Sequence, residues 1–310
     1  MSRIFVEGWS PDYGSPLEQD DALAPAEGSV DVDVERTGWE PLPGVDDGLA
    51  TIAFVDGVRR VDARLTLDEP AGPVPGICGT FAVGAVVWER PARRSTVQNV
   101  RIERWAVLSG GRSEQMPPVE LEPPYSTTTT PDEDPLALVK ELQSKMRRAE
   151  GETASSLASE CFVVADGPLY DLSATQAIGY IKSHRVTYLP EPQNATVGAL
   201  AAGQRTPLFT ISDYKRYSWY LRLAVLPGGH TWTGIVRCEA SGAHPLAEVI
   251  AMADRSAAVL PLVASEEHID PRAPQNLVPI AALERDLHHR MGDRGLVYRA
   301  LRSAVMRQAS

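Results

Sequence analysis

Two aspartates close short apolar runs and stand before a glycine. Asp56 follows Leu49-Ala50-Thr51-Ile52-Ala53-Phe54-Val55, and Asp166 follows Cys161-Phe162-Val163-Val164-Ala165. Each run is too short for a helix and reads as a strand buried on both faces that ends at its acid. In open α/β sheets the ligand crevice lies outside the carboxyl ends of the strands, so both acids stand where such folds place their chemistry. On neighbouring strands, roughly 5 Å apart, the two carboxylates can share one or two divalent ions. Without a cation they repel, and an unpaired buried charge costs several kcal/mol, on the order of the whole stability margin. Oxygen donors with no Cys or His cluster point to a hard ion, Mg²⁺ or Mn²⁺. Asp-Gly after a strand is also an ordinary turn, and the pattern alone leaves both readings open.

Glu150 follows Leu142 and Met146 at intervals of eight and four, on the apolar stripe Leu138, Val139, Leu142, Met146, Ala149. On a helix that stripe faces the sheet, where a carboxylate needs a partner. The metal site supplies one; the alternative is that the helix frays at Gly151 and solvates the acid. Lys182 ends the largely apolar stretch from Ala177 and either sets a cation beside the carboxylates or snorkels to solvent. Asp62, on the polar side of an alternating strand, is expected in solvent, and His288-His289 on a helix surface.

The elements that must position these residues follow from periodicity. Arg60 to Leu67, Gly79 to Trp88 and Val97 to Leu108 are strand-like, giving an antiparallel meander. Residues 109 to 133 carry Gly110-Gly111, Pro117-Pro118 and Pro123-Pro124 and predict a loop or linker without period. Asp134-Pro135 is an N-cap acid followed by proline at the first helical position. A helix is expected over Thr175 to Ser183, a hairpin over Tyr217 to Leu226 and Thr231 to Cys238, and a helix over Pro245 to Leu260. The tail from Pro279 to about Met306 is expected to be helical, broken at Gly292 and Gly295. Strands first, then alternating helix and strand, define an α/β mixed sheet with helices on its faces.

Residues 1 to 48 precede all this as an irregular acidic arm, and 49 to 310 as the domain. Of the 310 residues, the first 50 hold twelve acids and two bases, and the other 260 hold 29 acids and 28 bases. The net charge of −11 therefore belongs to one segment and excludes no partner for the body. Arginines gather at Arg59, Arg60 and Arg64, at Arg93, Arg94, Arg101 and Arg104, and along the tail from Arg285 to Arg307. Such clusters either track phosphates or form solvated faces. No run of about 18 apolar residues and no apolar leader core is present, so the expectation is a cytoplasmic protein without a membrane span. Cys78, Cys161 and Cys238 are isolated and read as reduced packing residues. The sequence lacks G-x-x-x-x-G-K-[ST], G-x-G-x-x-G, G-x-S-x-G and H-E-x-x-H, so ATP hydrolysis, dinucleotide redox, the esterase elbow and zincin proteolysis lose their usual signatures.

The order of motifs resembles the NurA family of DNA-end-processing nucleases, which have an RNase H-like core. The resemblance rests on Ala53-Phe54-Val55-Asp56-Gly57, Met146-Arg147-Arg148-Ala149-Glu150, and Val163-Val164-Ala165-Asp166-Gly167-Pro168-Leu169. It continues through Ile178-Gly179-Tyr180-Ile181-Lys182 and Pro274-Gln275-Asn276-Leu277-Val278-Pro279. It spans residues 49 to about 291, and its strength is order and spacing. It implies Asp56, Glu150 and Asp166 as ligands of Mn²⁺ or Mg²⁺, two-metal phosphodiester hydrolysis, and Lys182 offsetting charge on the scissile phosphate. Family members place a tyrosine before the late proline and a histidine in the last helix. Here Val278 holds the first position and Asp286 the second, so the resemblance makes Asp286 the fourth ligand, with Glu284 or His289 as alternatives. It also implies DNA as substrate, a homodimer, and docking on HerA, a hexameric ATP-driven translocase, with the acidic arm as a docking surface or DNA mimic. The missing tyrosine and histidine motivate a competing expectation, an inactive adaptor subunit of a DNA motor. An actin-like phosphotransferase is a third reading, but Val58-Arg59-Arg60 offers no hydroxyl after the glycine.

Overall fold

The computed structural model describes residues 3–6, 30–112, 114–169, 176–182, 188–211, 216–270 and 272–309. Its centre is a meander of three long strands, β4 (Thr51–Glu69), β5 (Gly72–Glu89) and β6 (Arg94–Leu108), paired antiparallel. Ahead of it come three short strands, β1 (Arg3–Val6), β2 (Val30–Asp31) and β3 (Leu42–Pro43). After it, β7 (Tyr125–Thr129) pairs parallel with β6. Helix α1 (Pro135–Leu157) then crosses back, and β8 (Phe162–Asp166) and β9 (Ala177–Ile181) extend the sheet parallel to β4. Helix α2 (Gln193–Ala199), β10 (Gln204–Arg205), β11 (Phe209–Ile211), β12 (Arg216–Arg222) and β13 (Ile235–Ser241) follow. Helices α3 (Leu246–Val259), α4 (Val278–Arg290) and α5 (Arg294–Ala309) complete the chain. The main strand order is β2-β11-β12-β13-β9-β8-β4-β5-β6-β7, a mixed α/β sheet with helices on its faces, as expected.

The faces follow from alternation along the strands. Ile52 and Phe54 of β4 and Phe162 and Val164 of β8 pack with Val249 and Met252 of α3 and Ile280 of α4. The intervening Ala53, Val55, Val163 and Ala165 pack on the other side, against the end of α1. Asp134 caps α1 by accepting from Leu136 N at 3.0 Å, and Pro135 starts it. Leu138, Leu142 and Met146 are buried under the sheet, each contributing roughly 1.5–3 kcal/mol. The outer half of the meander is covered by α5 through Val297, Leu301 and Ala304.

Several expectations need correction. β4 does not end at Asp56-Gly57 but runs through to Glu69, because β5 pairs with it along its whole length. What ends there is the parallel pairing: β8 matches β4 only from Ile52 to Val55. The segment 177–181, expected within a helix, is β9, whose five buried residues sit between β8 and β13; Thr175 and Ser183 lie outside the described residues. The loop 109–133 contributes β7, edge-paired to the meander. α1 continues through Gly151 and α5 through Gly295, since packing on the sheet outweighs roughly 1 kcal/mol of glycine cost. Gly292, at φ 83°, does separate α4 from α5. Residues 30–48 of the arm lie along the body. Val30–Asp31 pairs with β11, Leu42–Pro43 with β10, and Glu35 forms a buried ion pair with Arg205 at 2.8 Å.

Candidate metal centre

Because β8 stops at Asp166 while β4 runs on, no strand among the described residues pairs with that side of β4 between Asp56 and Arg64. The step lies at the carboxyl end of the parallel pair, and four carboxylates reach it. Asp56 and Asp166 share the side of the sheet covered by α3 and α4. Gly57 faces α1, and Glu150 of α1 comes over it: a side chain at residue 57 would collide with Glu150 Oε1. Glu284 enters from α4. One carboxylate oxygen each from Asp56, Asp166 and Glu284 lies within 4.8 Å of the others.

The charges are poorly compensated. Asp56 is 7% exposed, and the donor seen on it is its neighbour's N–H, Gly57 N to Oδ1 at 2.7 Å. Burial, then the charges of Asp166 and Glu150, hold its carboxyl well above the usual range. Burial, with Asp166 next, pushes Glu150 up to about 8. Asp166 is also raised by burial, although Lys182 works against the shift. Lys182 Nζ donates to Asp166 Oδ2 at 2.6 Å and to Asn276 Oδ1 at 3.1 Å. Burial opposes its charge, but the carboxylates outweigh burial and its pKa is raised. The other oxygen of Asp166, Oδ1, is buried and has no hydrogen-bond partner among the described residues. Such an orphaned acceptor among crowded acids costs about 1–3 kcal/mol or more unless a cation meets it. The donor set is all oxygen, while the three cysteines are buried elsewhere, so the site fits a hard divalent ion.

The structure thus gathers Asp56, Glu150, Asp166 and Lys182, four of the five residues expected, though Lys182 follows a strand rather than a helix. The fifth is placed differently. Asp286 pairs with Arg290 at 2.6 Å one turn on, along the outer face of α4. Two residues on a helix turn about 200°, so Glu284 points the opposite way, beside the buried Ile280, Leu283 and Leu287. The rule that singled out Glu150, an acid on an apolar stripe, would have found it. Arg272 was missed and carries no sequence signal; it holds Glu284 with two hydrogen bonds, at 2.6 and 3.1 Å. Asp62 is also corrected: fully buried, it accepts from Arg60 Nε at 2.7 Å, from Tyr125 OH at 2.7 Å and from Thr80 Oγ1. Much of the arginine clustering is consumed internally, Arg60 by Asp62, Arg94 by Glu89, Arg101 by Glu152 and Arg104 by Thr80.

Among the described residues, no helix is long and apolar enough to cross a membrane. No family model matches the chain, and no curated protein sequence matches it. Among solved structures, the catalytic domain of human Endonuclease V overlaps 80% of this chain and 90% of its own length, at 13% identity and a TM-score of 0.32, an overlap too loose to bear on activity.

Proposed function

We propose that the chain is a divalent-metal-dependent DNA nuclease that hydrolyses phosphodiester bonds. The observation that carries this reading is the convergence of Asp56, Glu150, Asp166 and Glu284 at the step between β4 and β8, with Asp166 Oδ1 lacking a donor among the described residues. Asp56, Asp166 and Glu284 would hold the ion, with Glu150 beside them over Gly57. Bound there, Mn²⁺ or Mg²⁺, as one ion or two, would supply an activated water and Lewis-acid stabilisation of the departing oxygen. Lys182, fixed by Asp166 and Asn276, places a cation against a phosphate brought to the acids. The sequence resemblance to NurA nucleases supports DNA as substrate, and the meander–helix–parallel-strand order suits the RNase H-like core it implies.

In the same reading the chain works as a homodimer with a HerA-type hexameric translocase in DNA end resection or defence, in the cytoplasm. The absence of a phosphate-binding loop in the sequence supports a separate motor. The arm's part in docking falls to its other acids, since Glu35, Asp46 and Asp47 are paired with Arg205, Arg90 and Arg255. Glu284 replaces the ligand whose loss motivated the inactive-adaptor reading. Comparing Asp56→Asn with the parent chain for Mn²⁺-dependent cleavage of single-stranded DNA tests the proposal. A loss of about a thousandfold or more is expected, the several kcal/mol that metal assistance supplies. Equal activity removes the catalytic assignment, and cleavage by neither chain favours the adaptor.

A further inference from the structure

Arg272 has two kinds of partner. Its Nε and one terminal nitrogen lie 3.4 Å from Asp270, whose carboxylate is buried and held by Asn276 Nδ2 at 2.7 Å and by Arg272's own N–H at 2.7 Å. Its two terminal nitrogens donate to both oxygens of Glu284. Asp270 is therefore a fixed anchor inside the fold. Glu284 is different, because one of its oxygens also meets Asp56 and Asp166.

A cation held between those three acids would draw on Glu284, and the terminal N–H groups of Arg272 would lose part of their acceptor. The guanidinium stays where Asp270 holds it, with its side chain 54% exposed beside the acids. A planar fork of donors, always protonated, half in solvent and beside bound cations, matches the paired oxygens of a phosphodiester. Lys182 lies deeper, with 24% of its side chain exposed, and two of its three donors are taken by Asp166 and Asn276. We infer that Arg272 is a backbone-phosphate contact for the nucleic-acid strand, its fork passing from Glu284 to the phosphate when the metal is bound. The inference rests on the nuclease reading and assigns a binding residue which that reading lacked.

The test is fluorescence anisotropy of a short labelled single-stranded DNA in Ca²⁺, over a range of salt, with the full chain and with Arg272→Gln and Arg272→Lys. Mn²⁺ affinity is measured separately by calorimetry. Arg272→Gln is expected to weaken DNA binding about tenfold whatever the base sequence, and to lower the salt slope by about 1. Its Mn²⁺ affinity stays equal or rises, because Glu284 loses a competitor. Arg272→Lys, the arbiter should Arg272→Gln fail to fold, keeps the slope but binds more weakly than the parent. Unchanged DNA affinity and slope with weaker Mn²⁺ binding overturn the inference and leave Arg272 as a support for Glu284. If the parent chain itself binds no DNA, the nuclease reading fails first.

Discussion

Asp56 and Asp62 lie on one strand, six residues apart, both buried, and their surroundings are opposite in kind. Asp62 is met by donors: the guanidinium of Arg60 and the hydroxyls of Thr80 and Tyr125, with Arg104 behind Thr80. Arg60 and Arg104 also donate to the carbonyls of Met291 and Gly292, so this network ties the end of α4 to the meander. Asp56 is met by other acids and by one main-chain N–H. A buried carboxylate surrounded by donors holds a fold together; one surrounded by carboxylates stores repulsion that only protons or cations relieve. The same residue type on the same strand is structural at Asp62 and, in the proposed function, holds the ion at Asp56.

The contrast can be broken most sharply at Asp62. Asp62→Ala strands Arg60, Thr80 and Tyr125 without their acceptor and should cost about 3 kcal/mol in urea unfolding. Mn²⁺ affinity of the folded fraction should be unchanged. A loss below about 1 kcal/mol would show that the network contributes little. Asp56→Asn should go the other way in the metal-free chain, raising stability as it abolishes cleavage.

The next effect is in pH. Glu150, moved from 4.5 to about 8, binds its proton more tightly folded than unfolded, as do Asp56 and Asp166. Their contribution to stability is complete below the ordinary carboxyl range and is lost as pH rises toward the folded values. With chelator present, the melting temperature should therefore fall between about pH 5 and 8, and saturating Mn²⁺ should flatten that fall. A chelated protein equally stable at both ends would deny the stored repulsion. The smallest effect is steric. Gly57→Ala puts a methyl against Glu150 Oε1 and should lower Mn²⁺-dependent cleavage about tenfold by displacing that carboxylate, with the fold intact by circular dichroism. Unchanged turnover would remove Glu150 from the working site.

Much of the site was legible because short buried runs and helical stripes are local signals. The runs ending at Asp56 and Asp166 and the stripe carrying Glu150 pointed at one another before any coordinates. The misreadings share a cause, which is that pairing partners are not local. Nothing near Asp56 says that β5 keeps β4 extended for another 13 residues, to Glu69. Nothing near Ala177 says that β8 and β13 wait on either side of it. Asp62 looked solvated because alternation marks a polar side without revealing that Arg60, Thr80 and Tyr125 fill it.

The sequence by itself determined the α/β class, the two parallel strands, the capped helix between them and three of the acids, since each depends on periodicity over a few residues. Tertiary structure decided the rest. It ended β8 four pairs along β4, so that the pairing stopped at Asp56, and it brought Glu284 rather than Asp286 to that step. It also set Arg272 against Glu284 across a loop. Electrostatic energy depends on distance through space, and distance through space is fixed only when the chain has packed.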